Sequence, residues 1–140
     1  MNIRDIMMQG KPLSGITVID AHCHIGPWFP MSIPESDVLG LCHDMDRLGI
    51  NRALISSMIG IGPDFKAGNR MVAALVHQYP DRFSGYISIN PNYPTEIGTE
   101  LESYYAVSGM KAIKIHPTFH NYSLTGPNYR EVFDFANTRE

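Results

Sequence analysis

Two histidines, His22 and His24, stand two residues apart in the segment DAHCH, with Asp20 two residues earlier. If this stretch is a β-strand, its side chains alternate with a period of two. Asp20, His22 and His24 then share one face, while Ile19, Ala21 and Cys23 share the other, small and apolar enough to lie under covering helices. Two neutral imidazoles projecting side by side can bind one divalent cation, each at about 2.0–2.1 Å. A second constellation, KAIKIHP, repeats the pattern: Ile113 and Ile115 fall on one face, Lys114 and His116 on the other. A lysine and a histidine beside a proline at a strand end suit a site better than an interior. In parallel α/β sheets and barrels ligands bind beyond the C-terminal strand ends, so both constellations point towards one site.

The elements that would position these residues repeat four times as strand, loop and helical pattern. The strands are read as Thr17 to His24, Ala53 to Met58, Phe83 to Asn90 and Met110 to His116. The first helix is expected to open on Ser32 and Glu35 as an S-x-x-E capping box. It continues through Val38, Leu41, Cys42, Met45 and Leu48 and stops at Gly49. Further helices are predicted around Asn69 to Tyr79, from about Thr95 to Val107, and from near Asn128, where Tyr129, Val132, Phe133 and Ala136 make an apolar stripe. Strands alternating with helices predict α/β architecture with a parallel sheet and right-handed crossovers. No linker or low-complexity stretch divides residues 1–140, which read as a single unit.

The composition narrows the classes. The formal charge is -3 and the hydrophobic content 44%. Neither gives an electrostatic reason to expect nucleic acid or an anionic membrane as partner. Apolar runs such as Met71 to Val76 are too short to span a bilayer, and the N-terminus lacks the apolar core of a signal peptide. Cys23 and Cys42 form no CxxC pair, and two free thiols with eight methionines fit a reducing, cytoplasmic setting. No GxGxxG or Walker pattern follows the first strand, which argues against a phosphate-binding doubly wound domain.

The DAHCH strand end followed by a G-P loop resembles the amidohydrolase superfamily, in particular its branch of metal-dependent (β/α)₈-barrel hydrolases, decarboxylases and hydratases. The segments DRLGINRALIS and GMKAIKIHPTFHNYSLTGPNYREVFDFA are similar to the same branch, so the resemblance runs from Thr17 onward. It implies that His22 and His24 bind a divalent metal, most often zinc. It also implies that Lys114 and His116 serve catalysis, and that the reaction is hydrolysis of an amide, ester or lactone in a small organic molecule by metal-activated water. Decarboxylation is the variant. In two-metal relatives a lysine at the end of the fourth strand is carboxylated and bridges the ions, whereas single-metal relatives manage without it. Lys114 is thus open to three roles: carboxylated ligand, partner of substrate charge, or snorkelling rim residue.

A complete barrel needs about 250 residues. Against that length the chain reads as a half-barrel of about four units, without the later-strand histidines and the eighth-strand Asp that the resemblance implies. A different reading is a non-catalytic half-barrel that self-associates as a homo-oligomer, because the first and fourth strands have open edges. Asp20 is read as orienting a ligand or capping the strand. Trp28 and Phe29 are read as walls of a pocket in the first loop. His120, in a long loop, is expected at the surface, and His43 and His77 on solvent-facing sides of helices.

Overall fold

The computed structural model describes residues 2–139. Four strands, β1 (Ile19–Ile25), β2 (Arg52–Ser57), β3 (Phe83–Ser88) and β4 (Met110–Lys114), form one parallel sheet in the order β1-β2-β3-β4. Helices α2 (Val38–Leu48), α4 (Phe65–Gln78) and α5 (Pro94–Tyr105) return the chain between strands, and α7 (Asn128–Thr138) follows β4. Three short helices, α1 (Ile3–Met8), α3 (Met58–Ile61) and α6 (Pro117–His120), were not foreseen from the sequence. No helix among the described residues is long and apolar enough to cross a membrane.

The strand register separates two faces. Ile25, Ala53, Ile55, Phe83, Ile87 and Met110 turn to the helices and pack on Met45, Val72, Val76, Ile97, Leu101 and Val132 to make the core. Gly85 belongs to that face; a Cβ there would lie 2.7 Å from Val72 Cγ1, so its absence lets α4 approach the sheet. The opposite face carries His24, Ser56, Tyr86, Ser88 and Lys114. Tyr86 Oη donates to the Ala21 carbonyl two strands away, a contact that requires this face to be concave.

Three sequence expectations give way here. The capping box is absent: Asp37 caps α2, its carboxylate accepting from Gly40 N at 2.9 Å, while Glu35 holds a positive φ of 54° in the preceding turn. Asp37 wins because it sits one residue before the first apolar turn, where its oxygen reaches the free N–H groups. α4 also begins earlier than the Asn69 start, at Phe65, with the Asp64 carboxylate accepting from Ala67 N. Finally, Ile19 and Ala21 lie under no helix. Ile19 pairs with Arg52, next to the helix-facing Asp20–Ala53 pair, so it turns to the other face and is 54% exposed, and Ala21 is exposed within the irregular stretch of β1.

Candidate metal centre

β1 does not alternate cleanly. Asp20 pairs with Ala53 and Cys23 with Ile55, so three steps on β1 oppose two on β2. This bulge inserts one residue and inverts the parity beyond it. Asp20 therefore shares the helix side with Cys23, whereas His24 faces the concave side, contrary to the strict alternation expected from the sequence. Asp20 is tied instead to the backbone, its Oδ1 accepting from His22 N at 2.9 Å, so it closes the bulge rather than facing the site. Burial, reinforced by the nearby Asp20 carboxylate, pushes the Cys23 thiol up to about 11.

The bulge nevertheless brings the two imidazoles together. His22 Nε2 and His24 Nε2 are 3.1 Å apart, with ring centroids at 4.9 Å and planes at 75°. Two nitrogens each about 2.1 Å from one ion would be about 3.0–3.4 Å apart for bond angles between 90° and tetrahedral. The spacing fits two ligands of a single cation. On the far side of His24, Nδ1 lies 2.8 Å from the Oγ of buried Ser56. With Nδ1–H donating to that oxygen, Nε2 keeps its lone pair for a cation. Burial first, then Lys114 and His22, lower His24 to about 4, so the ring is neutral near pH 7, as a ligand must be.

Lys114 completes the cluster from the other edge of the sheet, its Nζ 2.8 Å from His22 Nε2. Burial lowers its pKa. His116 lies beyond the end of β4 and caps α6, its Nδ1 accepting from Phe119 N at 3.1 Å. Its neutral form therefore carries the proton on Nε2. His116 is close enough to His24 to add to the depression of that ring's pKa. No carboxylate joins the imidazoles: among the described residues no group of three His, Cys, Asp or Glu side chains could hold a metal. The donors here are two imidazoles, with the Lys114 amino group beside them.

His120 corrects another expectation. It is 7% exposed, with Nε2 3.0 Å from the Ile61 carbonyl, because α6 folds back onto α3. His43 and His77 are exposed as expected. Sequence reading missed Asn69. Its carboxamide accepts from Ser88 N at 2.7 Å and donates to Ser88 O at 3.0 Å, and Nδ2 also reaches Glu100 Oε2 at 2.9 Å. This completely buried side chain takes the place of a neighbouring strand at the end of β3 and so holds Ser88 beside the site. Its signal was present: Phe65, Gly68, Asn69, Val72 and Val76 form one helical stripe, and an Asn within it must find buried partners.

No protein-family model matches the sequence, and no curated protein sequence does either. Solved structures do match. One is 5-carboxyvanillate decarboxylase from Novosphingobium aromaticivorans with manganese and 3-methoxy-4-hydroxy-5-nitrobenzoic acid bound. It is 18% identical with a TM-score of 0.71, over 89% of this chain and 49% of that one. A second structure of that enzyme with manganese and the nitrobenzoic acid gives 19% and 0.69, over 86% and 47%. A probable 2-pyrone-4,6-dicarboxylic acid hydrolase from Acinetobacter baumannii with citric acid bound gives 16% and 0.54, over 88% and 46%. Both enzymes are members of the amidohydrolase-2 superfamily, the branch that DAHCH resembles. At these identities the likeness shows the fold: four parallel β/α units of a partial (β/α)₈ barrel. The chain spans about half the length of the proteins it matches.

Proposed function

We propose that this chain carries the metal-binding part of a divalent-metal-dependent enzyme acting on a small organic acid. The observation that carries this reading is the 3.1 Å approach of His22 Nε2 and His24 Nε2 on the concave face. A divalent cation held there supplies electrostatic stabilisation of developing negative charge and lowers the pKa of water. Zinc suits two imidazoles, and manganese is the ion in the decarboxylase structures.

The remaining roles belong to the chain's own side chains. Ser56 fixes the tautomer of His24. Lys114 presents a cation to a substrate carboxylate, and His116 offers an Nε2 proton to a substrate oxygen. Hydrolysis of an amide, ester or lactone requires a base for the attacking water, and Asp20 lies on the wrong face to serve. Decarboxylation requires that the carboxylate be held, that the electron pair left on carbon as CO₂ departs be stabilised, and that a proton be delivered to that carbon. The Lys114 cation on the concave face suits the carboxylate that decarboxylation would remove, and decarboxylation is the reading we favour. The test loads the protein with Mn²⁺ or Zn²⁺ and supplies 5-carboxyvanillate and 2-pyrone-4,6-dicarboxylate in parallel. Chelator-sensitive release of CO₂ from the first is expected. Chelator-sensitive ring opening of the second without CO₂ release would favour the hydrolase.

A second reading rests on the sheet edges. A cleft of about 710 Å³ lies away from the imidazoles on the helix side of β4, between α5 and α7. Ile113, Ile115, Val132 and Phe133 line it beside an open parallel edge. Such an edge favours pairing, and a second copy could seat there as a homo-oligomer. Light scattering at rising concentration tests this; a clean monomer throughout contradicts it.

A further inference from the structure

Beyond the imidazoles, the loop after β1 and helix α6 bring three aromatic rings together. Trp28 packs at 5.1 Å from Phe29 and 5.1 Å from Phe119, and Phe29 and Phe119 are 5.7 Å apart. A cluster serving only stability would close its rings away from water. This one leaves Phe29 71% and Phe119 39% exposed. A Trp28–Met31 bridge pins the turn and presents Phe29 near its tip. The two phenylalanines wall a cavity of about 350 Å³, whose other sides include Gly62, Asn90, Asn92 and the buried His120.

The floor of that cavity is rigid. Asn92 Nδ2 donates to the Asn90 side chain and to the His120 carbonyl, the latter at 2.8 Å, and His120 is anchored to Ile61. His116 stands between Phe119 in the cavity wall and His24, whose pKa it helps to lower. His116, whose Nδ1 accepts from Phe119 N, stands with its ring 5.7 Å from the Phe119 ring. The His116 Nε2–H thus lies next to the aromatic faces of the cavity, on the side from which Lys114 and the imidazoles project.

We propose that Phe29 and Phe119, braced by Trp28, are specificity-determining residues that select planar, conjugated carboxylates over saturated ones of equal charge. The proposal rests on the reading above for the carboxylate end, and adds the recognition of the ring. Offset or edge-to-face contact with an aromatic ring favours a flat π-system over a puckered ring of the same size. The cavity lies at the low end of the usual range for ligand pockets and suits a single ring.

Trp28 is the only tryptophan, so its emission reports on this cluster alone. Benzoate and cyclohexanecarboxylate, alike in charge and size, would be titrated into the metal-free and the Zn²⁺-loaded protein. A saturable change with benzoate is expected, with cyclohexanecarboxylate roughly tenfold weaker. Phe29→Leu and Phe119→Leu, which keep apolar bulk without a ring, should bring the two acids to equal affinity, whereas Phe29→Tyr should retain the preference. Because Phe29 is exposed, its replacement leaves the core intact. The proposal is overturned if the wild-type protein binds both acids alike, shows no saturable change, or keeps the preference in Phe29→Leu. Failure of the metal reading would appear separately, as absence of cation binding by calorimetry with the ring preference intact.

Discussion

Lys114 Nζ and His22 Nε2 lie 2.8 Å apart although they come from the two opposite edge strands of the sheet. Three strand spacings amount to about 14 Å in a flat sheet, and strand side chains stand roughly perpendicular to it. Their meeting means that the sheet curls around the face that holds His24, Ser56 and Lys114, as strands do when they approach barrel geometry. The pair also has a chemical consequence. An ammonium that donates to His22 Nε2 occupies the lone pair a cation needs.

Replacing Lys114 should therefore help an incoming cation. In bicarbonate-free buffer Lys114→Met is expected to bind Zn²⁺ roughly tenfold more tightly than the wild type, reflecting about 1.4 kcal/mol of relieved repulsion. Isothermal calorimetry reads this directly. Weaker binding by the variant would mean that the lysine itself carries a ligand.

Acid should destabilise the metal-free protein. His24 has an ordinary value of 6.5 and is held at about 4 in the fold, chiefly by burial and then by Lys114. Burial lowers His120 as well. Between those values the unfolded chain binds more protons than the folded one. The stability these neutral rings allow is complete above about pH 6.5 and is lost as pH falls towards 4. Thermal midpoints measured from pH 7 to pH 4 should drop, and His24→Gln should flatten the slope. An unchanged slope would count against a neutral, desolvated His24.

Asn69 should be expensive to remove. Asn69→Ala strands the N–H and C=O of Ser88 in the interior, a loss of about 3 kcal/mol in urea denaturation. A loss below about 1 kcal/mol would show that water reaches the end of β3.

The bulge predicts an inert thiol. With its pKa pushed up to about 11 by burial and by Asp20, Cys23 should react with a disulfide reagent at pH 8 far more slowly than a free peptide cysteine. Asp20→Asn should speed the reaction. No acceleration would place Asp20 away from Cys23, on the imidazole side where strict alternation puts it.

The repeating strand and helix units were legible because their signals are local: apolar runs for the strands and 3.6-residue stripes for α2, α4, α5 and α7. The meeting of His22 and His24 was legible too, but for a different reason than the one that holds. Strict alternation would have carried Asp20 with them, whereas one extra residue between Asp20 and Cys23 turns it away. Nothing in DAHCH announces a bulge, since its cause is the pairing with β2, some thirty residues on. His120 escaped for a similar reason: its burial depends on the Ile61 carbonyl, which only the tertiary fold brings near. The Ser32–Glu35 spacing suggested a cap, but Asp37 lay closer to the first helical turn and took the role.

The most direct measurement is a calorimetric titration of Zn²⁺ or Mn²⁺ into the chelator-stripped protein, alongside His22→Ala, His24→Ala and the double variant. One cation per chain is predicted, with affinity reduced at least tenfold by either single change. Equal affinity in the wild type and the double variant would contradict the metal centre on which this reading stands.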